Sequence, residues 1–153
     1  MSFSTIGNSF LQTDHLRSAG QATTAFLALY SSTFVLVLKC KRTALQNARA
    51  AGKRFDRYNS PEMHVVDRLQ GNFLEWSPIF LGLLWTLAAN GALSGPALAA
   101  VWGYVTLRAL YVVLILKNGL KDNGMNKPLW ISTFPAYGCL SVMFAKAVAV
   151  LFF

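Results

Sequence analysis

Four long apolar runs, parted by polar or glycine-containing stretches, set the pattern of the chain. The first, FLALYSSTFVLVL, lies between Thr23 and Leu38 and leads into KCKRTALQNARAAGKRF, a basic segment of good helix formers with no breaker before Gly52. Ser60, Pro61 and Glu62 then form a helix start: a hydroxyl at the N-cap, proline at the first helical position and an acid near the positive end of the dipole. The helix they begin extends to about Asn90, a length of about 45 Å, which exceeds a hydrocarbon core of about 30 Å. Asn90-Gly91 and Ser94-Gly95-Pro96 make a short uncharged turn, and Pro96 opens a third run ending near Lys117. After the basic loop KNGLKDNGMNK, a fourth run fills Pro128–Phe153, with a bend expected at Pro135. The pattern predicts an all-α integral membrane four-helix bundle with transmembrane spans at about 22–39, 69–90, 96–117 and 128–153. Residues 1–20, mixed and polar with Asp14, His15 and Arg17, read as an N-terminal surface arm, leaving 21–153 as the membrane domain.

Composition supports the membrane reading. Of 153 residues, 54% are apolar and 13% charged, against about 25% charged in an average soluble domain. The net charge of +8 raises the question of nucleic acid, but no aromatic-studded basic groove or nucleic-acid motif accompanies it. Eleven of the fourteen Lys and Arg residues fall between Lys39 and Arg68 or between Lys117 and Lys127, and the second connection has none. That asymmetry points the first and third loops to the cytosol or the equivalent side of an organelle, with both termini opposite. The N-terminus lacks the pattern of a signal peptide, although its Ser/Thr content and few acids leave an organelle-targeting reading open. Cys40 and Cys139, at the end of one run and inside another, indicate no disulfide scaffold.

The stretch DRLQGNFLEWSP, Asp67–Pro78, carries Arg68, Asn72 and Glu75 into the second span. Spacings of four and three stack a cation, an amide and an anion along one helix face. Such a face inside a membrane needs a partner, either another helix or a small polar ligand. Arg108 lies about 14 Å from the basic end of the third span, at a depth similar to that of Glu75, which predicts a Glu75–Arg108 pair within or between chains. Arg68 offers a planar fork for a carboxylate or thiolate, Gln70 and Asn72 offer amides, and Glu75 can take an ammonium; a short zwitterionic peptide with an extra acid matches that set. Tyr111, one turn beyond Arg108, adds a hydroxyl or simply an amphipathic ring in a helix interface. His64 stands without Cys, Asp or Glu at metal spacing, and no nucleophile elbow, phosphate-binding glycine loop or dinucleotide fingerprint occurs, so no metal is expected.

These residues resemble a family, the membrane-associated proteins in eicosanoid and glutathione metabolism, which includes microsomal glutathione transferases and leukotriene C synthase. The likeness covers most of residues 22–153. Its most specific part is Arg68, Gln70, Asn72, Glu75 and Pro78, which match the family's second-helix motif, and Arg108 with Tyr111 match an arginine–tyrosine pair on its third helix. The resemblance implies a homotrimer in which glutathione sits between subunits near the cytosolic face. It implies that Arg68, Gln70, Asn72 and Glu75 bind glutathione and that Arg108 and Tyr111 are the catalytic residues. The reaction would be thiolate addition to a lipophilic electrophile arriving through the bilayer, or reduction of a lipid hydroperoxide, in the endoplasmic reticulum or another organelle membrane.

The departures from the family pattern bear on the chemistry. Leukotriene C synthase has a second tyrosine one turn after the first, where this chain has Ile115, and an arginine near the end of the third helix assigned to thiol activation. No arginine follows Arg108 here, and Trp76 stands where the synthase has tyrosine. Lys117, Lys121 or Lys127 would have to supply the charge, without the planar fork. The alternative expectation is therefore a catalytically silent structural or lipid-binding subunit of a larger membrane assembly. A small channel is a weaker fit, since the spans offer little else to line a polar path.

Overall fold

The computed structural model describes the backbone of residues 3–118 and 127–153, with side chains described from Thr13 onward apart from Glu62 and residues 118–127. Four helices make up this structure: α1 (Phe3–Ala50), α2 (Pro61–Ala89), α3 (Gly95–Asn118) and α4 (Lys127–Phe152). Among the described residues there is no strand. The helix boundaries follow the punctuation in the sequence. Ser60 is the N-cap of α2 with extended backbone and Pro61 opens the helix, although the Ser60 hydroxyl makes no capping bond. At the end of α1, Gly52 adopts φ +63°, and the amides of Gly52 and Lys53 return to the carbonyls of Arg49 and Ala48. Gly91, at φ +66°, ends α2 in the same way, with its amide and that of Ala92 bonded to Ala88 and Leu87. Both positions need the left-handed backbone that glycine adopts without cost.

Helix α1 differs from the sequence expectation at its start. There is no break at residue 20: the helix runs through it, Ala19 is fully buried, and a His15 ring nitrogen (Nδ1) is 2.9 Å from the Leu93 carbonyl in the α2–α3 turn. Residues 13–20 hold no glycine–proline break, and small residues at 19, 20 and 22 let the helix approach its neighbours closely, so α1 is continuous across residue 20. The polar residues within its apolar run cost little, because Ser32 and Thr33 hydroxyls donate to the carbonyls of Leu29 and Tyr30, both at 2.6 Å.

Of the four expected spans, three helices are apolar and long enough to cross a membrane, namely α1, α3 and α4. Helix α2 has the length, about 44 Å, but Asp67, Arg68, Gln70, Asn72 and Glu75 dilute its apolar content. Packing makes up for this. Helix α1 lies along α2, α3 along α4, and α2 also meets α4, so this helix is flanked on two sides. At the centre, the Phe26 ring on α1 touches Phe73 and Phe80 on α2 and Tyr104 on α3, with ring centroids 5.7, 4.9 and 6.2 Å apart. Phe80 and Tyr104 stack at 4.5 Å. Because lipid is as apolar as these rings, close packing rather than water exclusion holds them together.

Candidate functional site

At about 100° per residue, Arg68 and Glu75 point within about 20° of each other on α2, while Asn72 is turned by a further 40° to 60° or so. The structure follows this division: Asn72 is buried against the bundle, and Arg68 and Glu75 stand exposed at its rim. Gln70 is half-buried and lies on the other side of α2, about 160° from Asn72, so it does not join them.

Arg108 on α3 is 1% exposed and reaches α2 at Asn72, where Nη1 donates to Oδ1 at 2.5 Å. Its Cζ lies 4.9 Å from the centre of the Tyr104 ring one turn earlier. Within the chain the expected Glu75–Arg108 ion pair does not form, because the same rotation that buries Asn72 carries the Glu75 carboxylate to the outer rim. Among the described residues the ion pair lies instead between Arg57 in the first loop and Asp67, at 2.6 Å. Arg108 Nε and Nη2 are buried without hydrogen-bond partners. The Tyr104 hydroxyl is buried as well and makes no hydrogen bond of ordinary geometry, although the Arg108 charge acts on it. A guanidinium only donates, so it fixes the Asn72 amide with its oxygen toward α3 and its NH₂ group free to donate elsewhere.

Tyr111, 5% exposed, is held on the α2-facing side of α3, where the charges of Arg68, Arg108 and Glu75 all act on it. The structure thus gathers Arg68, Asn72, Glu75, Arg108 and Tyr111 on one side of the bundle near its basic end. Ile115, in place of the second tyrosine, is fully buried and contributes no polar group. Lys117 is exposed at the end of α3; Lys121 lies outside the described residues, as does the side chain of Lys127.

Two aromatic residues that sequence reasoning left out complete the surroundings. Tyr137 on α4 packs against Trp76, with ring centroids 4.5 Å apart. Tyr104 was detectable as the aromatic residue one turn before an intramembrane arginine, whereas nothing in the sequence pairs α4 with α2 at this depth. A cleft of about 320 Å³ runs from Trp76 and Tyr137 between the two helices, walled by Ile79, Leu83, Leu140 and Phe144.

Above the site, the first loop is tied down by local bonds. Asp56 accepts from the Asn59 side chain at 2.7 Å and the Tyr58 amide at 2.9 Å, which hold its carboxyl below the usual range. The Arg57–Asp67 pair raises the Arg57 guanidinium further still. His64 contacts the Tyr58 carbonyl, and no His, Cys, Asp and Glu group among the described residues converges on a metal position.

No curated protein and no solved structure matches the chain. A protein-family model does: that of the MAPEG family matches residues 20–146, which takes in all of α2 and α3, most of α1 and most of α4. Members of this family are membrane helical bundles that use glutathione as substrate or co-substrate. With most of its length matched, and with a helical bundle carrying three membrane-spanning helices, the chain belongs to the MAPEG family.

Proposed function

We propose that this chain is a membrane glutathione transferase or peroxidase, presenting the thiolate of bound glutathione to a lipophilic electrophile or a lipid hydroperoxide. The observation that carries the reading is the Arg108–Asn72 bond, which orients the Asn72 amide beside Arg68, Glu75 and Tyr111. In this arrangement the Arg68 fork holds a glutathione carboxylate, Glu75 takes the amino group, and the Asn72 NH₂ donates to a peptide carbonyl. Tyr111 donates its hydroxyl to the sulfur. Arg108 acts through Asn72 as a positioning residue, and its charge, with those of Arg68 and Lys117, favours the thiolate over the thiol.

On a single chain Glu75 is exposed within the second span and Arg68 is exposed at its edge, a costly position for unpaired charges. A homotrimer with glutathione between adjacent subunits covers them, and Gln70 serves such a site only across a subunit boundary. The basic ends of the helices face the cytosol in this reading, in the endoplasmic reticulum or another organelle membrane. Calorimetric titration of glutathione onto the purified protein tests the binding half, with affinity expected to fall for Arg68→Ala and Glu75→Gln. Tight binding with no turnover of any electrophile or hydroperoxide would sink the catalytic half.

The second reading, a silent structural or lipid-binding subunit, is favoured by one observation: Arg108 is buried and engaged by Asn72 rather than facing an open thiol site, and no arginine follows it. Purification as a lone oligomer that turns over substrate would count against it.

A further inference from the structure

We propose that the cavity between the last turns of α1, the first loop and the start of α2 binds a small water-soluble phosphate ester, of the size of a sugar phosphate or nucleotide. The proposal stands apart from the thiol site and does not rest on the reading above.

The cavity measures about 390 Å³, within the range of small-ligand sites and more than a phosphate group alone would fill. All of its walls come from one stretch of one chain, between Ala44 and Ser60. The loop along it is fixed at four points. Gly52 turns back at φ +63°, and the amides of Gly52 and Lys53 bond the Arg49 and Ala48 carbonyls, which sets the path of the chain into Lys53. Phe55 packs onto a second small core of Ala44, Met63 and Val66. Asp56 accepts from the Tyr58 amide and the Asn59 side chain, and Arg57 is drawn out to Asp67 at 2.6 Å. A loop held in this way still leaves the cavity open.

The charges divide as the bonds do. Between Lys39 and Arg57 the sequence has seven basic residues and one acid, Asp56, whose two oxygens are both engaged within the loop. Lys53 and Arg54, both exposed and both lining the cavity, have no ion pair or side-chain hydrogen bond among the described residues. The carbonyls at the end of α1, which would repel an anion, are spent: those of Asn47, Ala48 and Arg49 accept from the amides of Ala51, Lys53 and Gly52. Ser60 brings the positive end of the α2 dipole to the opposite wall. An ammonium beside a planar guanidinium suits the several oxygens of a phosphate, and Ala44 and Ala48 give an apolar floor for the body of the ligand. Depth decides the source. The apolar run of α1 ends at Leu38, so Ala44 to Ala48 stand about 9–15 Å beyond it, past a headgroup layer of about 5–8 Å. A phospholipid phosphate lies below the cavity, whereas a dissolved ester reaches it from water. The rim at Glu75 is about 22 Å along α2 from Ser60, so a neighbouring subunit packed there leaves the cavity uncovered.

The test uses the full chain in phosphatidylcholine nanodiscs at low salt, titrated calorimetrically with adenosine 5′-monophosphate, ribose 5-phosphate and adenosine. Both esters are expected to bind saturably and adenosine not at all. Lys53→Ala/Arg54→Ala is expected to weaken the esters about tenfold, the scale of two exposed charge contacts, with Arg54→Lys in between. Arg42→Ala/Arg49→Ala, which removes the same charge from another face of α1, is expected to change affinity less than twofold. Ala48→Phe, which fills the cavity and keeps its charges, is expected to weaken adenosine monophosphate, with the melting temperature of each variant reporting that it is folded. Equal losses in the two charge variants would make the binding a diffuse attraction to the basic end and overturn the site. So would binding of adenosine, binding of neither ester, or unchanged affinity in folded Ala48→Phe. Displacement of the esters by phosphatidylinositol 4-phosphate placed in the nanodisc would move the ligand to the membrane surface, and displacement by glutathione would give the cavity to the thiol site; either result overturns the proposal.

Discussion

The Arg108–Asn72 contact predicts strong coupling between two helices that otherwise touch little. Replacing Asn72 with Leu removes the hydrogen bond that, among the described residues, holds a guanidinium that is 1% exposed and already has Nε and Nη2 unpartnered. Loss of a bond to a charged group costs about 1.5–3 kcal/mol, and leaving the charge buried without a partner brings the total to about 3–5 kcal/mol. Arg108→Met keeps most of the side-chain volume and removes the charge, but strands the Asn72 amide at a cost of about 1–3 kcal/mol. The double variant strands neither group and is expected within about 1 kcal/mol of the parent, because an apolar pair of matched shape replaces a costly polar one. The coupling is therefore expected to be large and favourable to the pair, about 3 kcal/mol or more. Denaturant-induced unfolding in detergent micelles, followed by helical circular dichroism, measures all four corners of the cycle. Additive single effects, or a single Asn72→Leu variant as stable as the parent, would refute the account of a buried cation held by one amide. Glutathione affinity adds a second readout: the double variant is expected to be folded yet impaired in binding, which separates the role of Asn72 in the site from its role in stability.

Three further outcomes follow from local geometry. A Cβ at Gly103 would meet the Cys139 sulfur at 3.1 Å, so Gly103→Leu should part α3 from α4 and destabilise by about 1–3 kcal/mol, with Cys139→Ala partly restoring stability in the same unfolding assay. Glu75→Gln, at an exposed position, should leave the melting temperature within a degree or two while glutathione affinity drops; an unchanged affinity would remove Glu75 from the site. Asp56 is held below its ordinary pKa of 3.8, so it contributes to loop stability above that value and the contribution is lost as pH falls through the lowered one. Nuclear magnetic resonance of the Tyr58 amide, which donates to Asp56, should report a midpoint below 3.8, and a midpoint at or above it would contradict the bond.

The helices were legible because punctuation and apolar pattern agree: Pro61 opens α2, Gly52 and Gly91 close helices, and no breaker interrupts the runs between. The start of α1 was not, since a polar amphipathic stretch can be solvated or packed, and only the contact of His15 with the α2–α3 turn decides it. Depth within the bundle was readable from residue counts, which brought Arg108 level with the α2 motif. Rotation about the helix axis decided the partner, and a turn of about 60° separates Asn72 from Glu75. Tyr137 escaped notice for a different reason: its contact with Trp76 depends on α4 lying against α2, a tertiary fact that no local pattern on α4 encodes.

The helix without a long apolar segment of its own is thus the one with most to satisfy. In hydrocarbon every polar group on α2 requires a partner, and the chain supplies one selectively. Asn72 is bonded by Arg108 and Ser77 by the Phe73 carbonyl, while Asp67 is engaged by Arg57 at the surface. Arg68 and Glu75, opposite in charge and about 20° apart on the helix, are left at the rim. A packing network would have closed on itself, as the Asn72–Arg108 contact does. On the proposed reading, a cation and an anion held open beside an oriented amide match a zwitterion from outside the chain, and the division between groups satisfied internally and groups left exposed is the one that reading draws between residues that position and residues that bind.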